Sequence, residues 1–311
     1  MKARGIRRFP RTPTLTALAI ALGGFALNAG AGDGTAARGG DALYSQPGAV
    51  SPDADRLARE LGDDGVYRFQ ARFRDFEGRP LAIRFDMPAA WSRQATAEFG
   101  VSDVERKARY NRCQADPDCT WSREWRRYYH DHGMRLLEQD NGRLKMVVDV
   151  PAAVARNRDR VRPVVRALRE LAARNGRDTQ WAMQAAMALV QGGMRYERPA
   201  QVENGRKILD FYPPPRALEQ GYGDCDTKSA LLAAILQHLT DRRIVGVHVP
   251  DHYLLGIAGE PAPGQRWIEH EGETYILVEA SGPAIRPPGD VSDQTLAALE
   301  QGAGLRVDPM Y

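Results

Sequence analysis

The sequence predicts an α+β fold, on three observations. Helical patterning dominates 154–191. A helix follows at 226–239, apolar on every side over 230–236. Three strand-like runs come after it, at 243–249, 252–258 and 274–280. Helices and strands are thus segregated along the chain, whereas a doubly wound fold alternates them.

The elements follow in order. Lys2, Arg4, Arg7, Arg8 and Arg11 precede an apolar stretch of thirteen residues, 15–27, and then the small residues Ala29-Gly30-Ala31. That layout predicts a signal peptide over 1–31. The stretch is short for a bilayer-spanning helix of ~20 residues. Gly, Ala, Ser and Pro over 32–52 predict a flexible linker. Leu57 and Leu61, one turn apart, suggest a short helix after Ser51. Tyr67, Phe69, Ala71 and Phe73 alternate with Arg68, Gln70, Arg72 and Arg74, the period of a half-buried strand. A second strand, 81–85, follows the Glu77-Gly78-Arg79-Pro80 turn. The aromatics Trp121, Trp125, Tyr128 and Tyr129 recur near helical spacing and read as packing. A strand is expected at 144–150, closing an N-terminal α+β region over 53–150. Pro163 marks a kink or a fresh start inside the helical stretch 154–173, and a second helix spans 181–191. Residues 286–311 read as a C-terminal tail.

Composition narrows the function. The chain has 311 residues, 43 basic and 40 acidic. Setting aside the five basic residues at its start leaves 38 against 40, a nearly neutral body. A dedicated nucleic-acid binder needs a basic face, so that class is set aside. No run of eighteen apolar residues occurs, which argues against stable membrane insertion once a leader is removed. Three cysteines leave one over. Cys113 and Cys119 flank the turn signal Asp116-Pro117-Asp118 and predict a disulfide in an oxidising compartment, periplasmic or secreted. His130 and His132 do not complete a familiar metal-ligand spacing, so no metal is assigned.

The third cysteine lies in GYGDCDTKSALLAAIL, residues 221–236. Cys225 sits where loop turns into helix, facing backbone N–H groups and the positive end of the helix dipole, which favour thiolate. Asp224 and Asp226 oppose that, so a general base is required. Cys225 N–H is a natural oxyanion donor. His252 opens the apolar strand HYLLGIAG, and Glu279 closes TYILVEAS. If those strands pair antiparallel, both side chains reach one sheet edge. The carboxylate would then orient the imidazole and stabilise imidazolium. His248 is the rival base and Asp251 the rival acid. Tyr222 and Trp181 are candidate cleft-lining or oxyanion residues.

This constellation resembles the transglutaminase-like superfamily of papain-like cysteine enzymes. Gly223-Asp224-Cys225-Asp226 with Lys228, an apolar helix, a His opening one strand and an acid on a later one carry the likeness, over roughly 161–283. The resemblance implies a core over 151–285, with the cysteine at the start of a buried helix packed on an antiparallel sheet. It implies Cys225 as nucleophile, His252 as base and Glu279 as orienting acid, where the family usually has Asp. The substrate would be a peptide or protein. Exported peptidases and protein-crosslinking transglutaminases share these residues, so hydrolysis and amine transfer both stay open. An inactive module that binds peptide or cell wall is the reading from another class. No cofactor is implied, and no calcium loop is visible.

Overall fold

A computed structural model describes residues 56–138, 142–282, 284–302 and 304–310. The leader and linker expected over 1–31 and 32–52 lie outside the described residues.

The described chain opens with an antiparallel sheet of β1 (Leu57–Leu61), β2 (Val66–Arg74) and β3 (Pro80–Pro88), in that order. The alternation in β2 is realised. Phe69, Ala71 and Phe73 are buried, and Arg72 and Arg74 are exposed. The turn before β3 needs Gly78, whose φ of +79° costs other residues strain. Leu57 and Leu61 do not form the helix expected of them. They pair with Ala71 and Tyr67 of β2, because an edge strand satisfies β2's open backbone groups.

Helix α1 (Ala89–Glu98), strand β4 (Val101–Ser102), helices α2 (Asp103–Ala115) and α3 (Trp121–Asp131), and the hairpin β5 (Met134–Glu138) and β6 (Leu144–Val148) follow. The Cys113–Cys119 disulfide ties the end of α2 to the turn before α3, with Cα atoms 5.3 Å apart. Tyr128 is fully buried, and its hydroxyl donates to Glu105 at 3.0 Å. The expected strand at 144–150 stops at Val148, since Asp149 caps the next helix by accepting from Ala152 N.

That helix, α4 (Val150–Asn157), runs through a 3-10 turn into α5 (Arg162–Arg174), whose first turn holds Pro163. Asp178 caps α6 (Thr179–Gly192). Short strands β7 (Arg195–Tyr196), β8 (Val202–Glu203) and β9 (Arg206–Lys207) precede α7 (Pro214–Gln220). Strand β10 (Tyr222–Gly223) pairs parallel with β7 and feeds α8 (Cys225–Leu239). Every residue of α8 from Thr227 to Leu236 is buried, as the all-round apolar character of 230–236 requires.

The main sheet then forms from β11 (Ile244–Val249), β12 (His252–Ala258), β13 (Trp267–His270) and β14 (Glu273–Val278). Helix α9 (Asp293–Gln301) and strand β15 (Arg306–Pro309) complete it. Strand order is β13-β14-β12-β11-β15, antiparallel throughout. The region from 286 is therefore no tail. β15 is an edge strand, and Leu299 of α9 joins Val245, Val249 and Leu254 in a second apolar cluster. Phe69, Phe85, Leu168, Met187 and Leu232 lie in the larger cluster, so residues on both sides of Pro151 enter one core. Among the described residues no helix is long and apolar enough to cross a membrane.

Candidate active site

Cys225 is the first residue of α8 and is half-buried. Asp224 is the N-cap, in extended backbone, and its carboxylate accepts from Thr227 N at 3.4 Å. Asp226 accepts from the same N–H at 2.8 Å. With Thr227 N so occupied, Cys225 N–H heads the helix as a first-turn donor with no carbonyl four residues back to meet. Ser229, one turn on, donates its hydroxyl to Tyr253 O at 3.2 Å. The backbone amide of Tyr253 favours the Cys225 thiolate. One face of α8 thus docks on the backbone of Tyr253, the residue after His252.

Strand register brings base and acid together. β12 and β14 pair Leu255 with Val278. Continuing that register sets Glu279 opposite Leu254, so Glu279 and His252 are diagonal neighbours on one face. His252 Nε2 donates to Glu279 Oε2 at 2.9 Å, with both side chains buried. Glu279 also accepts from Thr295 Oγ1 at 2.9 Å and Ser281 Oγ at 3.2 Å. Burial opposes ionisation of Glu279, but the hydrogen bond and charge of His252, with those two hydroxyls, outweigh it and hold the carboxyl below its ordinary range. His252 Nδ1 is buried with no hydrogen-bond partner among the described residues. The Cys225–His252 hydrogen bond is therefore not made in this state.

The same registers separate His248 from His252. His248 pairs with Tyr253 and Val249 with His252, so His248 lies on the opposite face of the sheet. Asp251 sits at the exposed β11–β12 turn with φ of +58°. Tyr222 lies three residues before Cys225, but its hydroxyl is 3.2 Å from that of Tyr212 and Arg195 stacks over its ring. Trp181 is not brought to the site. It lies in the first turn of α6, ten residues and about 15 Å of helix from Gln191, which bonds Glu279 O.

Compared with family models, curated proteins and solved structures, the chain matches none.

Electrostatics at the sulfur are adverse. Burial pushes the Cys225 thiol above its ordinary range, and the charges of Asp226 and Asp224 push it further. The amides of Tyr253 and Asp226 pull the other way without prevailing. Burial, and then the adjacent Asp224 carboxylate, raise the Asp226 carboxyl. Among the described residues no group of three or more His, Cys, Asp or Glu side chains could hold a metal ion.

Sequence reasoning missed Thr295, Ser281, Tyr253 and Gln191. It quoted Lys228 only as part of a motif. A lysine placed directly before the apolar run 230–236 of a buried helix was the signal for its burial.

Proposed function

We propose that the protein is an exported papain-like cysteine enzyme that cleaves an amide bond through a Cys225–His252–Glu279 triad. The observation that carries this is the buried 2.9 Å bond from His252 Nε2 to Glu279, with Nδ1 left unpartnered on the residue before Tyr253, whose carbonyl accepts from Ser229 of the Cys225 helix. The bond to Glu279 places the ring proton on Nε2, so Nδ1 is the basic nitrogen.

The chemistry follows. Nδ1 takes the thiol proton as the sulfur attacks the substrate carbonyl. The elevated thiol means the proton leaves during attack rather than before it. Cys225 N–H receives the oxyanion. The imidazolium, stabilised by Glu279, protonates the leaving amine, and a thioester remains. Water, activated by His252, releases the acid and restores the thiol. An attacking amine in place of water would make the enzyme a transglutaminase. The missing Cys–His bond requires a side-chain adjustment on substrate binding, as in many free enzymes. The predicted leader and the disulfide support export.

The test is a synthetic peptide library incubated with the full chain, Cys225→Ala and His252→Ala, with a biotinylated primary amine present. New peptide termini that vanish in both variants are expected. Amine incorporation instead would reassign the reaction to transfer. Peptide retention without turnover, unchanged in the variants, would make the protein a binding module, a reading that the elevated thiol favours.

A further inference from the structure

Lys228 is fully buried, yet no carboxylate accepts from it. Its ammonium donates to three backbone carbonyls: Ser281 at 2.7 Å, Met194 at 3.1 Å and Gln191 at 3.3 Å. Burial draws the Lys228 amine down to about 7; in its protonated form it has three donors, and these acceptors use all of them. Gln191 O and Met194 O flank the end of α6, where helix carbonyls lack internal partners and carry negative partial charge. Ser281 belongs to the segment that follows Glu279. Lys228 itself stands three residues after Cys225.

Gln191 grips the same segment independently. Its Nε2 donates to Glu279 O at 2.7 Å and Arg286 O at 3.0 Å, and its Oε1 accepts from Arg286 N at 2.7 Å. The approach is close: a Cβ on Gly282, whose φ is +64°, would stand 2.3 Å from Gln191 O. A buried cation is a costly way to join three elements, because burial strips the charge of its hydration. What the ammonium supplies and a methyl group cannot is a defined position for three carbonyls.

We propose that Lys228 and Gln191 are positioning residues that lock the acid-bearing segment Glu279–Gly282 to the helix carrying Cys225, and so set the His252–Glu279 bond. This rests on reading those three residues as a catalytic set. The two side chains act through backbone alone and touch none of the reacting groups.

The experiment uses the full chain with ¹⁵N-labelled histidine. The ring Nε2–H resonance of His252, assigned by its loss in His252→Ala, reports the bond to Glu279. In Lys228→Met that resonance is expected to move or broaden as it does in Glu279→Gln, in a protein that is still folded. Turnover of the peptide found in the library should fall about 10- to 100-fold with KM nearly constant, the size expected of sub-ångström misplacement. A folded Lys228→Met with the wild-type resonance would overturn the proposal, since a purely structural lysine lowers the melting temperature and leaves this signal alone. Should Lys228→Met fail to fold, Gln191→Leu carries the same readout, because it removes the grip on Glu279 O and keeps the Lys228 contacts. If the wild type turns nothing over, the catalytic reading fails on its own, and the resonance still decides whether these residues position the pair.

Discussion

Cys225 begins a helix, which should favour its thiolate, yet burial and two aspartates prevail. A helix end contributes a fraction of one charge, whereas Asp224 and Asp226 each bring a whole one when ionised. The iodoacetamide rate of wild-type protein should therefore keep climbing through pH 9, without the plateau near pH 6 that a preformed ion pair would give. Asp224→Asn removes one charge, and Asn caps a helix about as well as Asp. Its alkylation rate at pH 7 should rise roughly 3- to 10-fold, the effect of a modest drop in thiol pKa. An unchanged rate would mean that burial alone holds the proton. At this scale the sequence was informative wherever chemistry is local. Cys225 after an Asp cap, with an apolar helix behind it, can be read from adjacent residues. Trp181 could not be placed that way, because its distance from the site depends on which end of α6 meets Glu279. Nor could the three carbonyls around Lys228, which come from segments 34 to 53 residues away.

Elements were legible where their period was unambiguous. β2 alternates cleanly and α8 is apolar all round over 230–236, so each declared its own type. β1 misled because Leu57 and Leu61 satisfy helical spacing while the partner that decides the matter lies on β2. β15 was missed because a four-residue edge strand has no period to detect. Tertiary pairing won in both cases. The β11–β12 hairpin offers a test at this level. Gly246 pairs with Leu255, and the Tyr253 side chain crosses to it diagonally: a Cβ on Gly246 would stand 1.8 Å from the Tyr253 hydroxyl. That hydroxyl donates to Asp308 at 3.2 Å. Gly246→Ala should cost about 1–3 kcal/mol by overpacking, read as a lower urea midpoint at constant slope. It should also slow Cys225 alkylation or turnover, since Tyr253 is the residue on which α8 docks. A loss of stability with full reactivity would show that the strand absorbs the clash away from the site.

At the scale of the whole molecule, the boundary drawn at 150/151 from the change of pattern does not coincide with a boundary in packing. Phe69 and Phe85 of the first sheet share a core with Leu168 and Met187. Tyr67 donates to Glu219 at 2.6 Å, across 152 residues of sequence. A fragment of 151–311 would expose that apolar face of α5 and α6. It should lack a cooperative thermal transition by circular dichroism, while the full chain shows one. A cooperative fragment would restore the two-domain reading. Both margins of the described chain are fastened close to the centre. Leu57 N donates to Gly193 O at 2.8 Å, beside the carbonyls that hold Lys228. Near the other margin, Arg135 clamps Asp308 with two bonds of 2.8 Å, and Asp308 in turn receives Tyr253. Strand β15 is thus laid against a sheet whose partner helix, the one that begins at Cys225, was synthesised some seventy residues earlier. A nascent chain paused between Glu279 and β15 holds Cys225, His252 and Glu279 without the Asp308 clamp on Tyr253. Order of synthesis then becomes a safeguard: β15 must emerge before the thiol has a fixed neighbourhood in which to react.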